Sequence, residues 1–275
     1  MVQMKWLGTA GLQLTHEDHA LLVDPYFTRI SKWQILFGRP EPDSKLVKRY
    51  LADMPKALAG IIITHTHFDH AMDAAAFAAF TKCPVLGSQS LASLLDINGI
   101  HGRVTVCENQ GPHELGGNTR VWMLPSRHGR VLFGRVPYPG EIMPPARLPL
   151  KARDYRLGSV YTPLMEMGGI TIMHVGSANF NADAVSGYRC DVIFLCVPGW
   201  RAVPGYPEQL LEIVQPKVVI PFHFDDFSLV LSTAGRNSRL PFLDMKGFLN
   251  RIKNRFPRIE IRIPEIFQPM DFDSK

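Results

Sequence analysis

The sequence predicts an α/β (α+β) fold in which two β-sheets pack face to face with helices on their outer sides. Three observations carry this. Strand-like segments fall into two groups, one in each half of the chain, and each group has helical segments beside it. Asp191–Val197, Pro207–Val214 and Lys217–Ile220 read as strand, helix, strand. No linker-like stretch and no repeat of solenoid period divides the 275 residues, so one domain spanning 1–275 is expected.

The elements follow in order. Val2–Leu7, Gly11–Thr15 and Ala20–Val23 are short apolar runs separated by turn residues, as in a meander. After Asp24-Pro25 a polar loop leads to a helix from about Asp43, with Asp43 or Ser44 as N-cap. The β-branched run Gly60–Thr64 is a buried strand, and the alanine-rich Ala71–Phe80 is a helix. A short strand near Pro84–Leu86, a Ser88-capped helix to Ile97, and strands at Arg103–Cys107 and Thr119–Leu124 complete the first half. In the second half Gly168-Gly169 joins Ser159–Met167 to Ile170–Val175 as a two-residue hairpin. A basic amphipathic helix over about Leu243–Phe256 and a strand at Ile259–Ile263 close the chain.

One segment resists assignment. Residues 129–157 carry five prolines and five arginines, and only a short hairpin at Val131–Val136 is readable within them. A connection of that length inside a compact domain is a lid, a binding loop or a disordered insert.

Composition narrows the class. With 46% hydrophobic and 20% charged residues the chain has material for a core and no disordered bias. Its apolar runs are of strand length, far short of the ~20 residues of a membrane span. The N-terminus opens on a strand rather than a basic and then apolar leader, which makes the cytoplasm the expected address. Cys83, Cys107, Cys190 and Cys196 are scattered, as buried free thiols are. The formal charge of +5 suits an anionic substrate or nucleic acid but is common in ordinary soluble proteins.

The chemistry sits in Thr64-His65-Thr66-His67-Phe68-Asp69-His70, between the end of an apolar strand and the start of a helix. A pattern His-x-His-x-Asp-His arises by chance in such a chain about once in a thousand. His65 and His67 project to the same side if the backbone stays extended, and Asp69 and His70 turn into the same cleft. Imidazole and carboxylate are ligands that zinc, iron and manganese accept.

This motif resembles the metal signature of the metallo-β-lactamase-fold superfamily, which implies a four-layer αββα sandwich. The resemblance extends over most of the chain. Ser126-Arg127-His128 after one strand and Pro221-Phe222-His223 after another stand where that superfamily places its later histidines. It implies one metal held by His65, His67 and His128 and another by Asp69, His70 and His223. Trp6–Gly11 and Leu22–Tyr26 look like the opening of the branch with L-ascorbate-6-phosphate lactonase-like proteins and N-acyl-phosphatidylethanolamine phospholipase D. In that branch Asp24 orients a metal-ligating histidine. The chain departs from the pattern at Ser177, where a bridging aspartate is usual. Either two metals bind, held together mainly by a bridging hydroxide, or one site fills weakly; Asn179, Asp183 or His174 are candidate substitutes for the bridge.

The implied activity is hydrolysis. A zinc, manganese or iron ion lowers the pKa of a bound water towards ~7, and the resulting hydroxide attacks a carbonyl or phosphoryl centre. Asp69 is placed to orient that nucleophile or move its proton. The expected substrate is a lactone, ester or phosphodiester of a small or lipid-like anionic molecule, with Arg130 and Arg135 as candidates for binding its charge. A nuclease is the second enzyme reading, resting on Lys246, Arg251, Lys253, Arg255, Arg258 and Arg262, although no nucleic-acid module is visible. A metal-binding scaffold without turnover is the third, with Ser177 its only support. Redox chemistry is disfavoured, because redox members typically carry Glu where this chain has His67. The sequence leaves room for a homo-oligomer.

Overall fold

The computed structural model describes residues 1–54, 57–131, 134–143, 148–231 and 238–273. Two seven-stranded sheets face one another. The first begins with the expected meander: β1 (Val2–Gly8), β2 (Gly11–His16) and β3 (His19–Val23) are antiparallel neighbours. Helices α1 (Lys32–Phe37) and α2 (Ser44–Ala52) follow, then β4 (Ala57–Ile62), which runs parallel to β3. Helices α3 (Phe68–Ala71) and α4 (Ala74–Phe80), strand β5 (Val85–Gly87), helix α5 (Gln89–Ile97) and strand β6 (Val104–Val106) finish this half by parallel crossovers.

The second sheet starts with β7 (His113–Leu115), β8 (Thr119–Pro125), β9 (Tyr161–Met167) and β10 (Ile170–Val175), all antiparallel. Gly168 and Gly169 both have positive φ, +56° and +76°, the backbone that a two-residue primed turn requires. Helix α6 (Ala182–Val185), strand β11 (Val192–Cys196), helix α7 (Glu208–Val214), strand β12 (Val218–Phe222), helix α8 (Met245–Arg255) and strand β13 (Glu260–Ile261) add parallel strands. The chain then returns to the first sheet as β14 (Pro269–Phe272), antiparallel to β1.

Alternation along each strand decides which layer a side chain enters. Leu21, Val23 and Ile62 point into the core between the sheets, which Met123, Met165, Ile172 and Phe194 fill from the other side. Leu22, Ile61 and Ile63 point the opposite way, into a second core beneath α2, α4 and α5. Phe248 and Ile252 of α8 and Leu210 and Leu211 of α7 cover the outer face of the second sheet. The layers are therefore helix, sheet, sheet, helix.

The segment differences have identifiable causes. The helix expected at Ala71–Phe80 is two short ones, because Asp73 turns inward and accepts hydrogen bonds from Phe27 N (2.6 Å), Thr28 N (2.8 Å) and Thr28 Oγ1 (2.5 Å). Helix α1 occupies what reads as a polar loop, held by a Ser31/Gln34 capping box, and buries none of its residues. Asp43 caps α2, Ser88 caps α5, and Asp244 caps α8. The hairpin expected at 131–136 falls partly on residues 132–133, outside the described residues. No disulfide links the four cysteines, three of which are buried. No helix among the described residues is long and apolar enough to cross a membrane.

Candidate metal centre

Loop ends bring the candidate donors together. His65 and His67 leave the end of β4 and Asp69 and His70 lie on α3, while His128 follows β8 and His223 follows β12. Two clusters result, His65/His67/His128 and Asp69/His70/His223, and within each one ligand atom per residue lies within 4.8 Å of the others. The two are adjacent, since the rings of His65 and His70 are 3.8 Å apart.

Hydrogen bonds leave one nitrogen of four of these rings for a metal. His70 Nδ1 donates to Asp24 Oδ2 at 2.7 Å, so its Nε2 faces Asp69 Oδ2 at 4.0 Å. His67 Nε2 donates to Pro137 O at 2.9 Å, leaving Nδ1, and His128 Nδ1 donates to Gly129 O at 2.7 Å, leaving Nε2. His65 Nδ1 lies 3.1 Å from Thr64 Oγ1, while its Nε2 is buried with no hydrogen-bond partner. A buried imidazole nitrogen left without a partner costs free energy unless something binds it. The same partners fix tautomer and ring orientation, as supporting groups do in metal sites.

Charge divides the clusters. Burial, reinforced by the neighbouring His70 and His67, holds His65 well below the usual histidine range. Burial likewise lowers His67 to about 4 and, together with His67, lowers His128 to about 3. This cluster is therefore three neutral imidazoles. Burial pushes Asp69 up, but the charge of His70 and the hydrogen bond to His223 outweigh it, and the carboxyl stays below its usual range. Burial lowers His70 too, but Asp24 and Asp69 outweigh it and its pKa is raised. Three neutral nitrogens beside a two-histidine, one-carboxylate set are donor sets that zinc, manganese or iron accepts. The residues fit a divalent metal.

Asp24 anchors the wall behind the centre. Its carboxylate accepts from Thr64 N (2.7 Å) and Thr64 Oγ1 (2.6 Å) as well as from His70, and it is wholly buried. Gly176 lies against this network: a Cβ there would come within 2.9 Å of Thr64 Oγ1 and 3.4 Å of Asp24 Oδ2. Asp24 and His223 both hold left-handed backbone, with φ of 44° and 64°, which costs about 1 kcal/mol or more for such residues.

The remaining candidates are scattered around the centre. Ser177 lines the cleft and accepts from Gly129 N at 2.9 Å, which places it beside His128. Asn179 donates to His128 O at 3.1 Å and is not among the described residues that line the cleft. His174 is buried behind the wall with Nε2 2.8 Å from Ala10 O, and Asp183 is exposed on α6. Arg130 and Arg135 are exposed and are not among the described residues that line the cleft. The 129–157 segment instead contributes Val131, Pro137 and Tyr138 to the cleft, and Leu157 O accepts from Thr66 N at 3.0 Å. Tyr138 and Cys196, both at the cleft, carry no sequence pattern that would single them out. The basic side chains of α8 are partly neutralised, Arg251 by Glu208 and Arg255 by Glu212 of α7.

A family model described as "Beta-lactamase superfamily domain" matches residues 3–223. The chain belongs to the beta-lactamase superfamily. Among relatives within the superfamily, a UPF0173 metal-dependent hydrolase of Archaeoglobus fulgidus is 27% identical over 234 residues, 83% of this chain and 86% of that protein. Igni18, a metallo hydrolase of Ignicoccus hospitalis, has a similar structure, with a TM-score of 0.61 and 16% identity over 99% of both chains. CmlA, a diiron β-hydroxylase of Streptomyces venezuelae, matches with a TM-score of 0.62 and 13% identity over 98% of this chain and 54% of its own. At these identities the two structures speak to the fold alone. With curated relatives of that superfamily that are metal-dependent hydrolases, this chain is a metal-dependent hydrolase of the superfamily.

Proposed function

We propose that this chain hydrolyses a lactone, ester or phosphodiester at a centre formed by His65, His67 and His128 on one side and Asp69, His70 and His223 on the other, with zinc the first choice of metal. The observation that carries the proposal is the pair of three-donor clusters opening onto one cleft, one of them with a buried, partnerless nitrogen at His65. The opening motifs resemble the branch of lactonase-like and phospholipase D-like hydrolases, and the bond of Asp24 to His70 supports that reading.

A metal held there would supply Lewis acidity, activating a water near neutral pH and polarising the scissile bond. The protein does the rest. His65, His67 and His128 offer neutral nitrogens, so filling that site displaces few protons at neutral pH. Asp69 stays ionised and within 3.4 Å of His223 Nε2, where its carboxylate would hold a metal with His70 and His223 and accept a hydrogen bond from a water at the cleft, orienting it. Asp24 holds His70 through Nδ1 so that Nε2 stays aimed at the cleft. Selection for an anionic reacting group would rest on the charge of the bound metal, since Arg130 and Arg135 stand away from the cleft.

The test is metal content and turnover together. Protein purified with zinc should hold one to two equivalents, and His65→Ala with His67→Ala should remove the first. Asp69→Asn should slow hydrolysis of a responsive lactone, ester or phosphodiester by a factor of about 10² or more. Unchanged metal content in the double variant, or a rate near wild type for Asp69→Asn, refutes the assignment.

A further inference from the structure

The cleft in front of the metal centre has a volume of about 510 Å³, within the usual range for a small-molecule site. Beside the donors, its lining includes Ile35, Phe68, Phe227, Leu240, Phe242 and Leu243, and no lysine or arginine is among the described residues that line it. The apolar wall reaches the donors themselves: the Phe227 ring is 5.8 Å from that of His223 and 6.1 Å from that of Phe68.

Two of the lining elements also carry exposed apolar side chains. Phe242 is fully exposed on left-handed backbone at φ 62°, so neither packing nor backbone preference explains a phenylalanine there. Ile35 enters the cleft from α1, while Trp33, Leu36 and Phe37 of the same helix are 72%, 67% and 61% exposed. Exposed apolar side chains grouped on a short helix that also lines a cleft are the kind of surface that marks a binding region. A charged group carried into this wall would lose its hydration with no partner in return.

We propose that the substrate of this centre is an acyl compound with an uncharged, apolar body, whose chain lies along Ile35, Phe227, Leu240 and Phe242 while its reacting carbonyl or phosphoryl group meets the donors. The inference rests on the hydrolase reading above and names the substrate class for that site. Polar selection belongs to the metal side, and specificity for chain length belongs to the wall.

Straight-chain hydroxamic acids, from acetyl to decanoyl, test this without requiring turnover, because their head group binds divalent metals and their tails differ only in methylenes. Titration calorimetry on the full, zinc-loaded chain should show affinity rising about threefold per added methylene until the wall is covered. Placing a carboxylate at the far end of the octanoyl tail should cancel most of that gain. Phe242→Asp, a change at a fully exposed position, should reduce the octanoyl-to-acetyl affinity ratio about tenfold. Acetohydroxamate binding with no gain along the series, or tighter binding of the carboxylate-tipped tail, overturns the proposal alone. Binding at no chain length overturns both the proposal and the metal-centre reading beneath it.

Discussion

At the scale of single residues, the proposed centre is backed by a buried carboxylate behind its donors. Asp24 receives three hydrogen bonds, from the backbone and hydroxyl of Thr64 and from His70, and thereby couples the end of β3 to both donor clusters. Asp24→Asn keeps the shape and tolerates left-handed backbone, but an amide cannot accept from all three donors. We expect it to weaken the metal at His70 by about 10- to 100-fold, read by chelator competition, with a smaller effect on the site of His65. Ser177 presents the converse case. It offers a hydroxyl beside His128, already engaged by Gly129 N, where a carboxylate would offset the repulsion between two cations. Ser177→Asp should therefore raise the affinity of the second metal and narrow the gap between two chelator steps. Two tightly and equally bound metals in the wild type, unaltered by the substitution, would show that the bridge is not needed.

At the scale of elements, the donors follow the C-terminal ends of strands, and register set at the opposite ends carries along the strands to them. Asp191, just before β11, clamps its neighbours: its carboxylate accepts from Thr171 N (3.0 Å) and Thr171 Oγ1 (2.8 Å) at β10 and pairs with Lys217 Nζ (2.8 Å) beside β12. Burial raises its pKa, but the bonds from Lys217 and Thr171 outweigh this and the folded value is depressed. A depressed carboxyl adds stability above its unfolded pKa of about 3.9 and loses it as pH falls through the folded value. Asp191→Asn should thus lower stability by about 1 kcal/mol at pH 7, a figure already reduced for its exposure. Denaturant melts at pH 7 and below pH 3 should show the difference between the two proteins closing at acid pH. Most strands and capped helices were legible because periodicity and N-caps are local signals. The split at Asp73 was not, since an alanine-rich run looks continuous until Phe27 and Thr28 arrive from another part of the chain.

At the scale of the molecule, a buried ion pair ties the two sheets together behind the centre. Arg29 follows β3 and Asp225 follows β12; Nη2 and Oδ2 are 3.1 Å apart and both side chains are almost wholly buried. Asp225 Oδ1 also accepts from Thr9 N (2.8 Å), and Arg29 Nη1 donates to Thr9 Oγ1 (2.7 Å), so the β1–β2 turn joins the clamp two residues from His223. Removing one partner leaves a buried charge uncompensated, and Arg29→Ala should cost about 3–5 kcal/mol of stability. Arg29→Met with Asp225→Leu should cost much less, because neither charge remains. A double replacement as damaging as the single one, in chemical denaturation, would mean the ion pair is not the source of the loss.

By itself, the sequence determined which residues could do chemistry and where most strands and helices run, but not which sheet each strand joins: Thr119–Leu124 reads with the first half of the chain and belongs to the second sheet. His65, His67, Asp69 and His70 are close in the chain, and strand alternation needs no distant partner. Tertiary structure decided what depends on contacts across the chain. It joined His128 and His223 to the motif, set Asp24 against His70, and returned β14 to β1 from the far end of the chain. It also left Arg130, Arg135, Arg153 and Arg156 exposed while bringing Pro137 O to His67, so that the described part of that segment contributes backbone and apolar groups to the cleft. Residue type states what a side chain is able to bind; only the fold states what lies within reach of it.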